Sequence, residues 1–233
     1  GDFWVNGRLF GRQSCHVTEG VEDAELVVLI GTNPWQAHGV RNAREVLKAI
    51  AKDPARRLVV IDPVRSEAAA MADVHLQVRP GTDAFLLAAI LAVMVREGRE
   101  DRAFLERRTA GFAAVREALL AVPVEAYAER AGVALADVES VARMIAEAGS
   151  AAVRVDLGLQ QSLHSTLNSY LEKLLSLVPG HFGRPGCNAL HTALMPMVGH
   201  SDAGEPAGRG WRTAVTGFAE IGKLFPPNVL PEE

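Results

Sequence analysis

Cysteine, tyrosine and tryptophan are scarce in this chain of 233 residues, which holds two, two and three of them. Two cysteines, Cys15 and Cys187, are too few for a disulfide framework, and they fit a reducing compartment such as the cytoplasm. A periplasmic location would instead require a twin-arginine signal ahead of the chain. Charge of one sign is also lacking. With 24 Lys+Arg against 28 Asp+Glu the net charge is -4, so there is no broad basic field, which argues against a dedicated nucleic-acid binder. The longest unbroken apolar run, Ala84 to Val95, is twelve residues. A membrane span needs about 20, so none is expected. No charged segment followed by an apolar one opens the chain, and no secretory leader is read there.

Several catalytic signatures are missing too. There is no GxSxG elbow and no HExxH helix, and nothing assembles a complete nucleophile, base and stabiliser. Without GxGxxG, a plain nicotinamide dehydrogenase has little support. Gly217 to Lys223 matches most of a phosphate loop, but Leu224 replaces the Ser/Thr that would hold magnesium and Pro226-Pro227 forbid the helix that should follow. Cys15-His16 and Cys187 with His191 lack zinc-site spacing. The chain opens Gly-Asp-Phe-Trp with no initiator Met, as expected of a piece cut from a longer protein.

What is present is an alternation of strands and helices. The chain is 48% hydrophobic, ample for a packed core. Glu25-Leu-Val-Val-Leu-Ile30 is a β-branched apolar run closed by Gly31, and Arg57-Leu-Val-Val-Ile-Asp62 is a second. Between them Val40, Ala43, Val46, Leu47 and Ile50 recur at helical spacing, and Asp53-Pro54 ends that helix. Strand, helix, strand in this order implies a right-handed parallel crossover and an α/β fold. Residues 73–78 alternate as a third strand. A helix is expected over 84–97, capped by Thr82 or Asp83, and helices over 101–148 are broken near Gly111, Pro123 and Gly132. Residues 151–157 read as a fourth strand, and 162–178 as a helix burying Leu163, Leu167, Tyr170, Leu171, Leu174 and Leu175. Beyond Gly180 the chain is rich in Gly and Pro and expected to lie across another surface.

Polar loops follow the strands, and ligands of parallel sheets bind at strand carboxyl ends. The first, Gly31-Thr32-Asn33-Pro34-Trp35-Gln36-Ala37-His38, offers a Gly for close backbone approach, amides to read a heterocycle and an indole for stacking. An ordinary strand-to-helix turn is the alternative. The second places Asp62 where dinucleotide folds use a carboxylate on ribose hydroxyls, with Arg65 either facing phosphate or on bare surface. The third, Arg79-Pro80-Gly81-Thr82-Asp83, is a tight turn or simply a helix cap. A fourth, Leu157-Gly158-Leu159-Gln160-Gln161, brings two amides behind a Gly.

In order, Gly31-Thr-Asn-Pro34, Ile61-Asp-Pro63, the run Ala72-Asp-x-His-Leu-Gln-Val-Arg-Pro-Gly-Thr-Asp83 and Gly183-Arg-Pro-Gly186 resemble the molybdopterin oxidoreductases, the family of dimethyl sulfoxide reductase, formate dehydrogenases and nitrate reductases. The resemblance implies a Rossmann-like parallel sheet flanked by helices, plus part of a neighbouring α/β domain. It implies bis-molybdopterin guanine dinucleotide carrying molybdenum, or tungsten, as cofactor. By position, Gly31, Thr32, Asn33, Pro34 and His38 would line phosphates and ribose of one guanine dinucleotide. Asp62 and Arg65 would sit near its ribose or guanine, Gly81, Thr82 and Asp83 at the guanine edge, and Leu157, Gly158 and Gln161 near the other pterin.

Two departures accompany the likeness. Family members usually carry Arg directly after Asp-Pro, whereas here Val64 intervenes before Arg65. The family's metal ligand lies well upstream of the first loop, and Cys15, only 16 residues before Gly31, is too near for that role. The metal ligand and an iron–sulfur cluster are accordingly expected in a missing N-terminal part. The expected organisation is a lead-in over 1–20, a dinucleotide-binding domain over 21–148, and a partial second α/β domain over 149–233. The remaining domains of the parent enzyme would be the partners. The alternative is a non-catalytic nucleotide-binding or interaction module of the same fold.

Overall fold

The computed structural model describes residues 1–11, 17–37, 39–191 and 210–220. Helix α1 (Asp2–Phe10) and the short strand β1 (Val17–Glu19) are followed by β2 (Leu26–Ile30), α2 (Ala43–Lys52), β3 (Arg57–Ile61), α3 (Glu67–Met71) and β4 (Val74–Leu76). Five helices then run in succession: α4 (Asp83–Arg96), α5 (Arg102–Arg108), α6 (Phe112–Leu120), α7 (Val124–Ala131) and α8 (Leu135–Glu147). The turn α9 (Leu157–Gln160) and helix α10 (Ser165–Leu177) come after β5 (Ala151–Val155), and β6 (Asn188–Leu190) ends the series. Contacts divide the chain into two units: Thr18–Ala189, and the two flanking segments together. In the flanking unit, Arg8 lies over the Trp4 ring of α1 at 5.2 Å, and an Arg212–Ala219 bridge joins a second segment to itself.

The larger unit is built on a parallel sheet in the order β4-β3-β2-β5. Successive side chains of a strand face opposite ways, so an apolar run with no polar gap suits a strand covered on both faces. Val28, Ile30, Val59 and Ile61 enter one core with α4, α7, α8 and α10. Val27, Leu29, Leu58 and Val60 enter a second core with Leu47 and Ile50 of α2 and Ala68 and Ala69 of α3. Full burial of one such side chain stabilises the fold by about 1.5–3 kcal/mol. Helix α4 is apolar all round because it is central to the first core: Leu86, Leu87, Ile90, Leu91 and Met94 are fully buried there. Among the described residues no helix is long and apolar enough to cross a membrane.

The sheet does not divide at residue 149. Strand β5 pairs with β2 in register from Leu26–Ala151 to Ile30–Val155, because β2 has a free hydrogen-bonding edge on the side away from β3. The outer edge of β5 is occupied in turn by one amide: Asn188 Oδ1 accepts from Val153 N–H at 2.8 Å, and Asn188 Nδ2 donates to Val153 O at 2.9 Å. A side chain thereby closes a sheet edge that would otherwise invite pairing. The helix expected from 162 starts at Ser165, because Asp156 first caps the unexpected turn α9, its carboxylate accepting from Leu157 N–H at 2.9 Å. Leu163 therefore precedes the helix and is 97% exposed, and Leu167 is 47% exposed rather than inward.

At the far end of α4, Glu97 takes Arg143 Nη2 of α8 at 2.6 Å and Arg99 Nε at 2.5 Å. These hydrogen bonds, Arg143's first, hold its carboxyl at about 2. The folded value lies below that of the unfolded chain, so the stabilisation is complete above the ordinary carboxylate range and is lost as pH falls toward about 2. Thermal melts of Glu97→Gln should show a lower midpoint than the wild type at pH 7 and no difference near pH 2.

Candidate functional site

In a parallel sheet every strand delivers its carboxyl end to the same edge, so the loops after β2, β3, β4 and β5 meet there. Strand order also reverses between β2 and β5, because the chain runs outward through β3 and β4 before β5 returns on the other side. Such a switch point is where α/β sheets bind ligands.

The loop after β2 is pinned on both flanks. Towards β5, Gly31 O accepts from Gly158 N–H at 3.2 Å, and the Thr32 hydroxyl donates to the Asp156 carboxylate at 3.5 Å. The backbones are so close that a Cβ on Gly31 would lie 2.7 Å from Leu159 N, and one on Gly158 2.5 Å from Gly31 O. The freedom of Gly31, at φ +58°, therefore serves first the protein's own backbone contact. Towards β3, Asn33 Nδ2 and Gln36 Nε2 each donate to Glu67 at 2.7 Å. Pro34 is buried, and Trp35 packs on the second core with the cations of Arg44 and Lys48 5.4 and 5.5 Å from its ring. Helix α2 starts at Ala43, twelve positions after Gly31, so its N–H groups do not directly follow the glycine.

The loops after β3 and β4 are bound to each other. Asp62 N–H donates to Leu76 O at 3.2 Å, His75 Nε2 lies 2.9 Å from Asp62 O, and Gln77 Nε2 donates to Pro63 O at 3.0 Å. Asp62 Oδ1 accepts from Val64 N–H at 2.8 Å, a local turn that leaves its second oxygen available. Arg65 is exposed and forms no hydrogen bond or ion pair among the described residues. Gly81 is exposed, at φ +78°, and the Thr82 hydroxyl donates to Arg79 O at 2.7 Å. Asp83 opens α4 with only 7% of its surface exposed. Burial raises its carboxyl above the usual range, its own N–H opposes that, and the nearby Asp62 charge adds to the rise. Two carboxylates thus share one edge, one of them held in an environment that disfavours its charge.

Of the residues expected at the site, Gly31, Thr32 and Gly158 are brought into one contact network, and Asp62 and Asp83 into electrostatic reach of each other. Leu157 and Gln161 are exposed beside Gly158 without bonding to the other loops. His38 lies outside the described residues, as do Cys15 and His16. Glu67 and Asp156 were not read from the sequence as part of the site. Ser66-Glu67 does carry a local signal, a Ser cap followed by an acidic first turn, with Ser66 Oγ accepting from Ala69 N–H at 3.3 Å. Its reach to a loop 34 residues away leaves no trace in spacing.

The family model described as molybdopterin oxidoreductase matches residues 7–224, nearly the whole chain. The chain belongs to the molybdopterin oxidoreductase family. It is 29% identical over 228 residues to the alpha subunit of F420-dependent formate dehydrogenase 2 from Methanococcus maripaludis, covering 97% of this chain and 30% of that protein. It is 29% identical over 182 residues to formate dehydrogenase H of Escherichia coli, covering 78% of this chain and 24% of that one. A nitrate reductase of Shewanella frigidimarina is 31% identical over 173 residues, covering 72% and 18% respectively. Among solved structures, acetylene hydratase from Pelobacter acetylenicus superposes with a TM-score of 0.69 at 22% identity, over 80% of this chain and 25% of that one, which establishes a shared fold. The chain spans less than a third of the length of these relatives. Family membership implies a pterin cofactor carrying molybdenum or tungsten.

Proposed function

We propose that this chain forms a nucleotide-binding part of a molybdenum or tungsten oxidoreductase and holds the guanine dinucleotide end of bis-molybdopterin guanine dinucleotide. The observation that carries this reading is the Asp62–Asp83 pair at the carboxyl edge. Guanine presents N1–H and N2–H donors and ribose presents hydroxyls, so their complement is a set of acceptors. Asp83 offers a buried carboxylate, Asp62 keeps one oxygen unengaged, and Asn33 Oδ1 is buried with no partner among the described residues. A ligand with N–H or O–H donors suits this set. Arg65, exposed and unpaired among the described residues, has the charge for a phosphate at the same edge.

In this reading, when bound, the cofactor supplies the redox-active metal centre. The chain's own residues orient the nucleotide and fix its distance from the sheet; the proton and electron steps belong to parts of the parent beyond these residues. That parent would be formate dehydrogenase- or nitrate reductase-like, with an iron–sulfur cluster and further domains as partners.

Calorimetric titration of the 233-residue chain with GDP, ADP and NAD tests the reading. GDP should bind more tightly than either of the others, and Asp62→Ala should weaken GDP about tenfold, the scale of one charge-assisted hydrogen bond. A preference for NAD, or no binding of GDP at millimolar concentration, would overturn it.

A further inference from the structure

One carboxylate at this edge is engaged in an unusual way. Glu67, the first residue of α3, is exposed, yet its two oxygens are each taken by a different side-chain amide of the loop after β2: Oε2 by Asn33 Nδ2 and Oε1 by Gln36 Nε2, both at 2.7 Å. A carboxylate only accepts, so the NH₂ end of each amide must face it; the orientation of both amides follows from chemistry. The consequence falls on the other end of Asn33. Its Oδ1 is turned away from Glu67 into a buried position where no described group donates to it. A buried acceptor without a donor is costly, and a ligand hydroxyl or N–H would remove that cost.

We propose that Glu67 is a positioning residue for the nucleotide: by clamping the Asn33 and Gln36 amides it presents Asn33 Oδ1 as a fixed acceptor for a ribose hydroxyl or base N–H. This rests on the nucleotide-binding reading above. The clamp is charged under ordinary conditions, because hydrogen bonds from its own backbone N–H, then from Asn33 and Gln36, hold the Glu67 carboxyl below the usual range, with the Arg44 charge adding to this. The backbone of the same loop is fixed independently by Gln36 N–H and Ala37 N–H donating to Asn33 O at 3.0 and 2.9 Å. Removing Glu67 therefore frees the two side chains and leaves the loop's path in place.

The experiment compares GDP titrations of the 233-residue chain and its Glu67→Ala and Glu67→Gln variants, with melting curves and side-chain amide NMR on each. Glu67→Ala should weaken GDP about tenfold while the thermal midpoint stays within about 2 °C, since an exposed side chain carries little stability. Glu67→Gln, which keeps one acceptor oxygen, should fall between. In the wild type the Asn33 and Gln36 NH₂ signals should be shifted and slowly exchanging, and should collapse to ordinary values in Glu67→Ala. Equal GDP affinity in wild type and Glu67→Ala overturns the inference alone, as does a loss of affinity matched by a loss of folded protein. Failure of the wild type to bind GDP overturns the nucleotide reading and this inference with it.

Discussion

Gly31→Ala is expected to destabilise the chain by roughly 2–5 kcal/mol in urea or thermal unfolding. Two costs add. The residue sits at φ +58°, a left-handed conformation that penalises an L side chain by about 1–2 kcal/mol. The new Cβ would also lie 2.7 Å from Leu159 N and 3.0 Å from Gly158 C, both backbone atoms that no rotamer change can move. The loops after β2 and β5 would have to separate, breaking the Gly158 N–H to Gly31 O bond. Gly81→Ala is the control: it has a similar φ of +78° but no atom within 4 Å of its Cβ, so only the conformational cost of about 1–2 kcal/mol remains. Equal losses at both positions would contradict the close-packing account of the β2–β5 junction.

Asp83→Asn is expected to weaken GDP binding ten- to a hundredfold, roughly the contribution of a charge-assisted hydrogen bond in a dry site, and at the same time to stabilise the fold at neutral pH. Burial, then the Asp62 charge, raises the folded value of this carboxyl above that of the unfolded chain, its own N–H only partly opposing them. A raised folded value means that the stability contribution is complete below the unfolded value and is lost as pH rises through the folded one, so at pH 7 the charged form costs stability. Asparagine is neutral at every pH and removes that cost. The thermal midpoint of Asp83→Asn should therefore exceed that of the wild type at pH 7, and the gain should vanish in acid. GDP affinity should in turn fall with decreasing pH in the wild type, beginning above the usual carboxylate range, and that limb should flatten in the variant. A residue retained at a cost to the fold is what a binding role demands.

The strands and most helices are legible in the sequence because their signals are local. The runs Leu26–Ile30 and Leu58–Ile61 are apolar without interruption, as two covered faces require, and Gly111, Pro123 and Gly132 stand at the breaks between α5, α6, α7 and α8. The carboxyl-edge loops could be read for the same reason, since each follows a strand directly. Pairing could not. Whether β5 begins a new domain or completes the first sheet depends on which strand offers it an edge, and β2 lies about 125 positions away in sequence. Asn188 closing the edge of β5, and Glu67 clamping Asn33 and Gln36, are contacts of the same long-range kind. Helix α10 starts three residues later than its apolar spacing predicts, because Asp156 uses its carboxylate to cap the short turn α9.

A crystal structure of the 233-residue chain grown with GDP would show where the nucleotide sits. The guanine should lie at the carboxyl edge of the sheet, with its N–H groups within about 3.2 Å of the Asp83 or Asp62 carboxylate and a ribose or base donor on Asn33 Oδ1. Guanine bound away from that edge, or an edge still empty at saturating GDP, would contradict that placement.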